Sequence, residues 1–98
     1  MIQRIVKLAI DPNQPTGDVF RKIFSESKAL IAQQPGCHGV HLLESKNHFF
    51  TLSYWDSEAD LNDYRASPLF QSVWPKTKAL FFDKPEAWTC QTVDNYKA

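Results

Sequence analysis

The sequence carries no net charge, only two cysteines and no apolar run of the roughly 18 residues that a membrane span needs. Its 11 Lys+Arg balance 11 Asp+Glu, which argues against a general nucleic-acid binder, because such proteins present a basic surface. Two cysteines do not make a disulfide framework, and the opening MIQRIVKLAI has the pattern of a strand without a signal-peptide cleavage site. We therefore expect a cytoplasmic protein that engages neither nucleic acid nor membrane.

Apolar and aromatic residues are plentiful by contrast. They make up 43% and 13% of the 98 residues, which is typical of a globular chain. This length predicts a single domain over 1–98 with a large core for its size.

Apolar spacing and turn residues predict the order of the helices and strands. The expected bounds are a strand over 2–10, a helix over 17–34, strands over 37–44 and 49–55, helices over 57–66 and 68–81, and a strand over 86–93. This order is typical of an α+β, ferredoxin-like β-α-β-β-α-β fold, with a four-stranded antiparallel sheet and its helices on one face. The second and last strands then form opposite edges, which keeps Cys37 and Cys90 too far apart to bond.

The predicted hairpin of strands 37–44 and 49–55 has two largely apolar faces. With Glu44 opposite Phe49, strict alternation places His38 on the helix-covered face with Trp55. The other face then carries Cys37, His41, Leu43, Phe50, Leu52 and Tyr54. Such a surface costs roughly 1.5–3 kcal/mol per exposed large side chain, so we predict a homodimer through the sheet face, forming a dimeric α+β barrel. The alternative is that the two faces are reversed.

Three motifs resemble the antibiotic biosynthesis monooxygenase family. They are PGCHGVHLLE at 35–44, FFTLSYWDSE at 49–58 and RASPLF at 65–70. The resemblance spans roughly 2–93 and implies a small dimeric α+β barrel. For quinone-forming members it also implies the oxidation of aromatic phenols by O₂ without metal, flavin or other cofactor.

The same resemblance implies three site positions. Trp55 matches the family tryptophan that ends the third strand. The family asparagine position holds Thr51 and the family tyrosine position holds Leu61, while Tyr64 lies one helical turn further on and offers a hydroxyl nearby. Two of the three functional residues therefore differ from those of the quinone-forming members.

A haem-degrading branch of the superfamily offers another comparison. The positions that correspond to its asparagine, tryptophan and iron-ligating histidine are Lys7, Tyr64 and Trp74. None of the three residues is retained, so the resemblance does not extend to haem degradation.

The three histidines suggest a metal site, but their spacing argues against one. His38 and His41 are an odd number of residues apart on one strand and point to opposite faces, and His48 lies in a loop. His38 is instead a candidate base that takes a phenol proton. The alternative is a strand-end histidine that is hydrogen bonded to solvent or backbone.

Aromatic residues of the third strand and the helices that follow are candidates for a flat pocket. Trp55, Tyr64, Phe70 and Trp74 could stack on a planar substrate, although aromatic residues at helical spacing also form ordinary cores. Arg65 could bind an anion, although a solvent-facing arginine is the commoner outcome.

Two hypotheses follow for the function. In the first, the protein is a cofactor-independent monooxygenase for a small aromatic, phenolic or quinol-type molecule. Its catalytic residues are Trp55, Tyr64 and His38, and its substrate-binding residues are Thr51, Leu61, Arg65, Phe70 and Trp74. In the second, it is a non-catalytic dimeric protein that binds a small apolar ligand or serves as a stress-response accessory.

Overall fold

The structure is a computed structural model that describes residues 1–97, and it confirms the ferredoxin-like β-α-β-β-α-β topology. Its elements are β1 (Ile2–Leu8), α1 (Pro15–Ala32), β2 (Cys37–Glu44), β3 (Phe49–Trp55), α2 (Glu58–Arg65), α3 (Pro68–Lys78) and β4 (Glu86–Gln91). The four strands are antiparallel in the order β2-β3-β1-β4. As predicted, β2 and β4 form opposite edges, and Cys37 and Cys90 are both free thiols.

The bounds of β2 and β3 coincide with those predicted, while the other elements differ by a few residues. Strand β1 ends at Leu8 instead of residue 10, because the Ile10 amide turns back to donate to the Leu8 carbonyl at 2.8 Å. Helix α1 starts two residues early, with Pro15 in its first turn, where proline loses no helical hydrogen bond.

The C-terminal ends of the remaining elements also lie before those predicted. Helix α3 accommodates Pro75 but ends at Lys78, and Ala79 and Leu80 form a turn. Helices α1 and α2 end at Ala32 and Arg65, before residues 34 and 66. Strand β4 ends at Gln91, two residues before 93.

The hairpin register confirms that Glu44 lies opposite Phe49, but an irregularity changes the other end of β2. Cys37 pairs with Trp55 and Gly39 with Tyr54, so His38 is the extra residue of a β-bulge. Directly opposed residues share a face, so Cys37 lies on the helix-covered face with Trp55. Its predicted position on the other face was wrong, because strict alternation fails across a bulge.

The helices pack on one face of the sheet and bury the core there. Leu8, Ile10, Phe20 and Phe49 form its centre, each at most 3% exposed. Phe24 and Trp74 are among the partly buried side chains that pack against this cluster. The core therefore joins α1 and α3 to the middle of the sheet.

The opposite face, which we call the open face, carries no helix in residues 1–97. A cross-strand row runs over it from His41 through Leu52 and Ile5 to Trp88. Trp88 is 43% exposed and Leu43 is 48% exposed. Within residues 1–97, none of the helices has the length and hydropathy required to span a lipid bilayer.

Candidate functional site

A cavity of about 340 Å³ lies between the helix-covered sheet face and the helices. Six of the eight predicted site residues line it, namely Thr51, Leu61, Tyr64, Arg65, Phe70 and Trp74. Most of the remaining wall is aliphatic or aromatic and comes from β1, α1 and α3. The cavity is therefore an apolar space with a few polar side chains, which suits a small, largely apolar ligand.

Helix capping positions the helices that carry these side chains. The Ser57 hydroxyl accepts from the Asp60 amide at 3.2 Å and starts α2, which ends at Arg65. The Ser67 hydroxyl accepts from the Phe70 amide at 3.2 Å and starts α3 immediately afterwards. These two caps fix the junction of α2 and α3 beside the cavity.

A chain of aromatic contacts runs from the sheet along the cavity wall. The Trp55 and Tyr64 rings are stacked with centroids 5.1 Å apart. The edge contact of Tyr64 with Phe70 follows at 5.4 Å, and Phe70 stacks on Trp74 at 5.6 Å. Three rings of this series line the cavity and could hold a planar ligand by stacking.

Trp55 belongs to the core and does not line the cavity. Its side chain is completely buried, and its Nε1 donates to the Ser53 hydroxyl at 2.9 Å. Tyr64 covers its ring from the cavity side. The expectation that Trp55 packs directly against a substrate therefore does not fit this arrangement, in which Trp55 supports Tyr64.

His38 also lies outside the cavity lining, contrary to the expectation from alternation. As the bulged residue of β2 it is solvent-exposed, and its Nε2 is 2.6 Å from Oδ1 of Asp56. That bond ties the start of β2 to the end of β3 at the surface. The arrangement resembles the alternative of a strand-end histidine, here hydrogen bonded to a carboxylate.

Tyr64 is the titratable group most affected by the site. Burial, and secondarily the nearby Cys37 thiol, raise the pKa of Tyr64 to about 12. Burial likewise raises the pKa of Cys37. Among residues 1–97 the Tyr64 hydroxyl has no hydrogen-bond partner, so at neutral pH it is a protonated phenol that can donate to a ligand.

Arg4 is a cavity residue that the sequence analysis did not propose. In the sheet it lies between Ser53 and Thr89, and its Nη1 donates to the Thr89 hydroxyl at 2.8 Å. Burial, followed by the charge of Arg65, lowers the pKa of Arg4. The available signal was its position in the strand alternation, which places an arginine among Ile2, Val6 and Leu8 on the helix-covered face.

Within residues 1–97, no three histidine, cysteine or carboxylate side chains lie together in an arrangement that could hold a metal ion.

Comparisons with known proteins agree with this fold. The family model for antibiotic biosynthesis monooxygenase matches residues 1–74. The structure of Rv0793 from Mycobacterium tuberculosis superposes with a TM-score of 0.85 at 15% identity, over 98% of both chains. SnoaB, a cofactor-independent oxygenase from Streptomyces nogalater, superposes with a TM-score of 0.80 at 18% identity, over 96% of this chain and 94% of that one. At identities this low, the superpositions establish a shared fold and nothing more. No curated protein matches the sequence.

Proposed function

The chain belongs to the antibiotic biosynthesis monooxygenase family, and we propose that it is a cofactor-independent monooxygenase for a small aromatic, phenolic or quinol-type molecule. The single observation that carries the proposal is the cavity of about 340 Å³, walled by aromatic rings and containing the protonated Tyr64 hydroxyl. The fold shared with SnoaB, a cofactor-independent oxygenase, supports the choice of chemistry.

The proposed reaction is the conversion of a phenol to a quinone. One atom of O₂ becomes the new carbonyl oxygen on the ring, and the other leaves as water with the two hydrogens lost from the substrate. The substrate supplies all four electrons, so the balance requires no external reductant. Within the cavity the Phe70 and Trp74 rings hold the substrate plane, and the Tyr64 hydroxyl donates to the substrate oxygen as it gains negative charge.

Oxygen consumption tests this proposal. Purified protein freed of metals and flavins is mixed with a panel of polycyclic phenols, and O₂ uptake is followed with an electrode. We expect uptake above the buffer rate with at least one phenol and formation of one quinone and one water per O₂, without hydrogen peroxide. The Tyr64→Phe variant serves as the control and should be slower, while a rate equal to buffer across the panel would contradict the proposal.

One observation favours the second candidate, a protein that binds a small apolar ligand without turnover. The described lining of the cavity contains no carboxylate and no imidazole, so it offers no conventional general base. Trp74 lines the cavity and its fluorescence should report ligand binding. Saturable quenching without O₂ uptake would favour this candidate, whereas quenching together with uptake favours the enzyme.

For the assembly we propose a homodimer through the open face. Proteins of this family are typically dimeric. The large side chains on this face of β3 are Phe50, Leu52 and Tyr54, and the edge strands β2 and β4 contribute Leu43 and Trp88. A second copy that packs sheet against sheet would remove this apolar surface from water.

A further inference from the structure

Two positively charged side chains face the same cavity from different elements. Arg4 extends from β1 and Arg65 from the last turn of α2, beside Tyr64. Both side chains line the one cavity, and the pKa of Arg4 is lowered by burial and, to a smaller extent, by the charge of Arg65. The polar side chains nearest to Arg4 in the sheet are Ser53 and Thr89, and these hydroxyls bring no negative charge.

Neither arginine has a carboxylate partner within residues 1–97. The ion pairs there involve Arg21, Lys22 and His38, and the described cavity lining contains no aspartate or glutamate. Arg21 shows the usual arrangement in this chain, with carboxylate oxygens of Glu44 at 2.6 Å and Asp18 at 2.9 Å. The cavity therefore carries two positive charges without carboxylate partners, the half-buried Arg4 and the exposed Arg65, beside a largely apolar wall.

We infer that the cavity binds a planar apolar molecule that carries one carboxylate, and that this carboxylate pairs with Arg4 and Arg65. The planar guanidinium matches a carboxylate through two parallel hydrogen bonds, which a phenol oxygen alone cannot provide. The rest of the molecule would contact Val6, Phe24 and Trp74 along the apolar part of the cavity. The inference rests on the proposed function only in using the same cavity, and it specifies the charge of the substrate.

A matched pair of probes tests the inference by isothermal titration calorimetry. 2-Naphthoate and 2-naphthamide have the same ring system and nearly the same shape, but only the first is an anion. Because a hydrogen bond to a charged group is stronger than one between neutral groups, we expect naphthoate to bind at least about tenfold more tightly than naphthamide. Equal affinities, or no measurable binding of naphthoate at millimolar concentration, would overturn the inference.

Charge-removing variants assign the preference to these two side chains. Arg65→Gln changes an exposed residue and is expected to reduce naphthoate affinity about tenfold and naphthamide affinity by much less, because the amide loses no charge pairing. Arg4→Gln should do the same, and Arg4→Lys should retain part of the preference because the charge remains. Lys28→Gln is the matched control, because Lys28 is exposed and lies outside the described cavity lining. A preference that persists in both glutamine variants would overturn the assignment.

The experiments separate this inference from the proposed oxidation. Arginine-dependent carboxylate binding without O₂ uptake would support the inference while contradicting the monooxygenase. Conversion of neutral polycyclic phenols to quinones with O₂ uptake, combined with equal binding of the two naphthalene probes, would overturn the inference while supporting the monooxygenase.

Discussion

Trp55 and Tyr64 form one stacked pair, with ring centroids 5.1 Å apart and an angle of 21° between the rings, but only Tyr64 reaches the cavity. The pair joins the end of β3 to α2. Its inner ring is completely buried, and its outer ring carries a hydroxyl that is available to a ligand. The two residues therefore have separable effects on stability and on binding.

Removal of the Trp55 ring should lower the free energy of unfolding more than removal of the Tyr64 hydroxyl. Trp55→Ala removes a fully buried indole and is expected to lower the free energy of unfolding by about 3–5 kcal/mol, as measured by urea denaturation. Tyr64→Phe keeps the stacked ring and should change it by no more than about 0.5 kcal/mol. A Trp55→Ala protein of wild-type stability would contradict the core assignment.

The free energy of unfolding at alkaline pH should report the buried environment of the Tyr64 phenol. Burial, with a smaller contribution from Cys37, raises the pKa of Tyr64 to about 12 in the folded protein, against 10.0 for an unperturbed tyrosine. Below pH 10 the phenol is protonated in both states, so its contribution to stability is fully present there. Between pH 10 and 12 the unfolded chain loses this proton first, and the free energy of unfolding falls by about 2–3 kcal/mol.

The Tyr64→Phe variant isolates this contribution from the other groups that titrate in the same range. Urea denaturation of both proteins at several alkaline pH values gives the difference in unfolding free energy. That difference should change steadily over the interval from pH 10 to 12. Parallel pH profiles for the two proteins would show that the Tyr64 phenol titrates normally.

His38 should be dispensable for any chemistry in the cavity. It is exposed and bound to Asp56, whose side chain is 61% exposed. Because exposed ion pairs contribute about 0–1 kcal/mol, His38→Ala should lower stability only slightly. O₂ uptake and ligand affinity should equal those of the wild type, with Tyr64→Phe measured alongside as the variant expected to change them. A large loss of turnover in His38→Ala would restore the histidine as a catalytic candidate.

The bulge at His38 explains why the sequence predicted the hairpin better than its faces. Element order and the pairing of Glu44 with Phe49 follow from apolar alternation and the short polar loop, and both agree with the structure. Alternation assumes a regular ladder, so one extra residue near Gly39 reverses the faces of everything before it. That single event places Cys37 beside Tyr64 and moves His38 to the surface.

The candidate site was predictable to the extent that helical spacing determines which side of α2 and α3 faces the sheet. Tyr64, Phe70 and Trp74 follow that spacing and do line the cavity. The burial of Trp55 depends on which ring of the stacked pair faces the cavity. The spacing of residues in the sequence does not determine this, because it is set by tertiary packing. Arg4 was not predicted, although a charged residue at a core-facing strand position is itself a sign of a functional site, because charged side chains are rarely placed there.

The open face provides the last prediction, which concerns assembly. Leu52 lies in the middle of this face, between Ile5 and His41 in the strand register. A carboxylate at this position would be buried in a largely apolar sheet-to-sheet contact, with only the imidazole of His41 beside it, so Leu52→Glu should yield a folded monomer in sedimentation equilibrium while the wild type forms a dimer. Val19→Glu, on the exposed side of α1 where Val19 is 48% exposed, is the matched control and should remain dimeric. A monomeric wild type, or a Leu52→Glu protein that still forms dimers, would mean that the apolar surface of β3 is not the contact between copies.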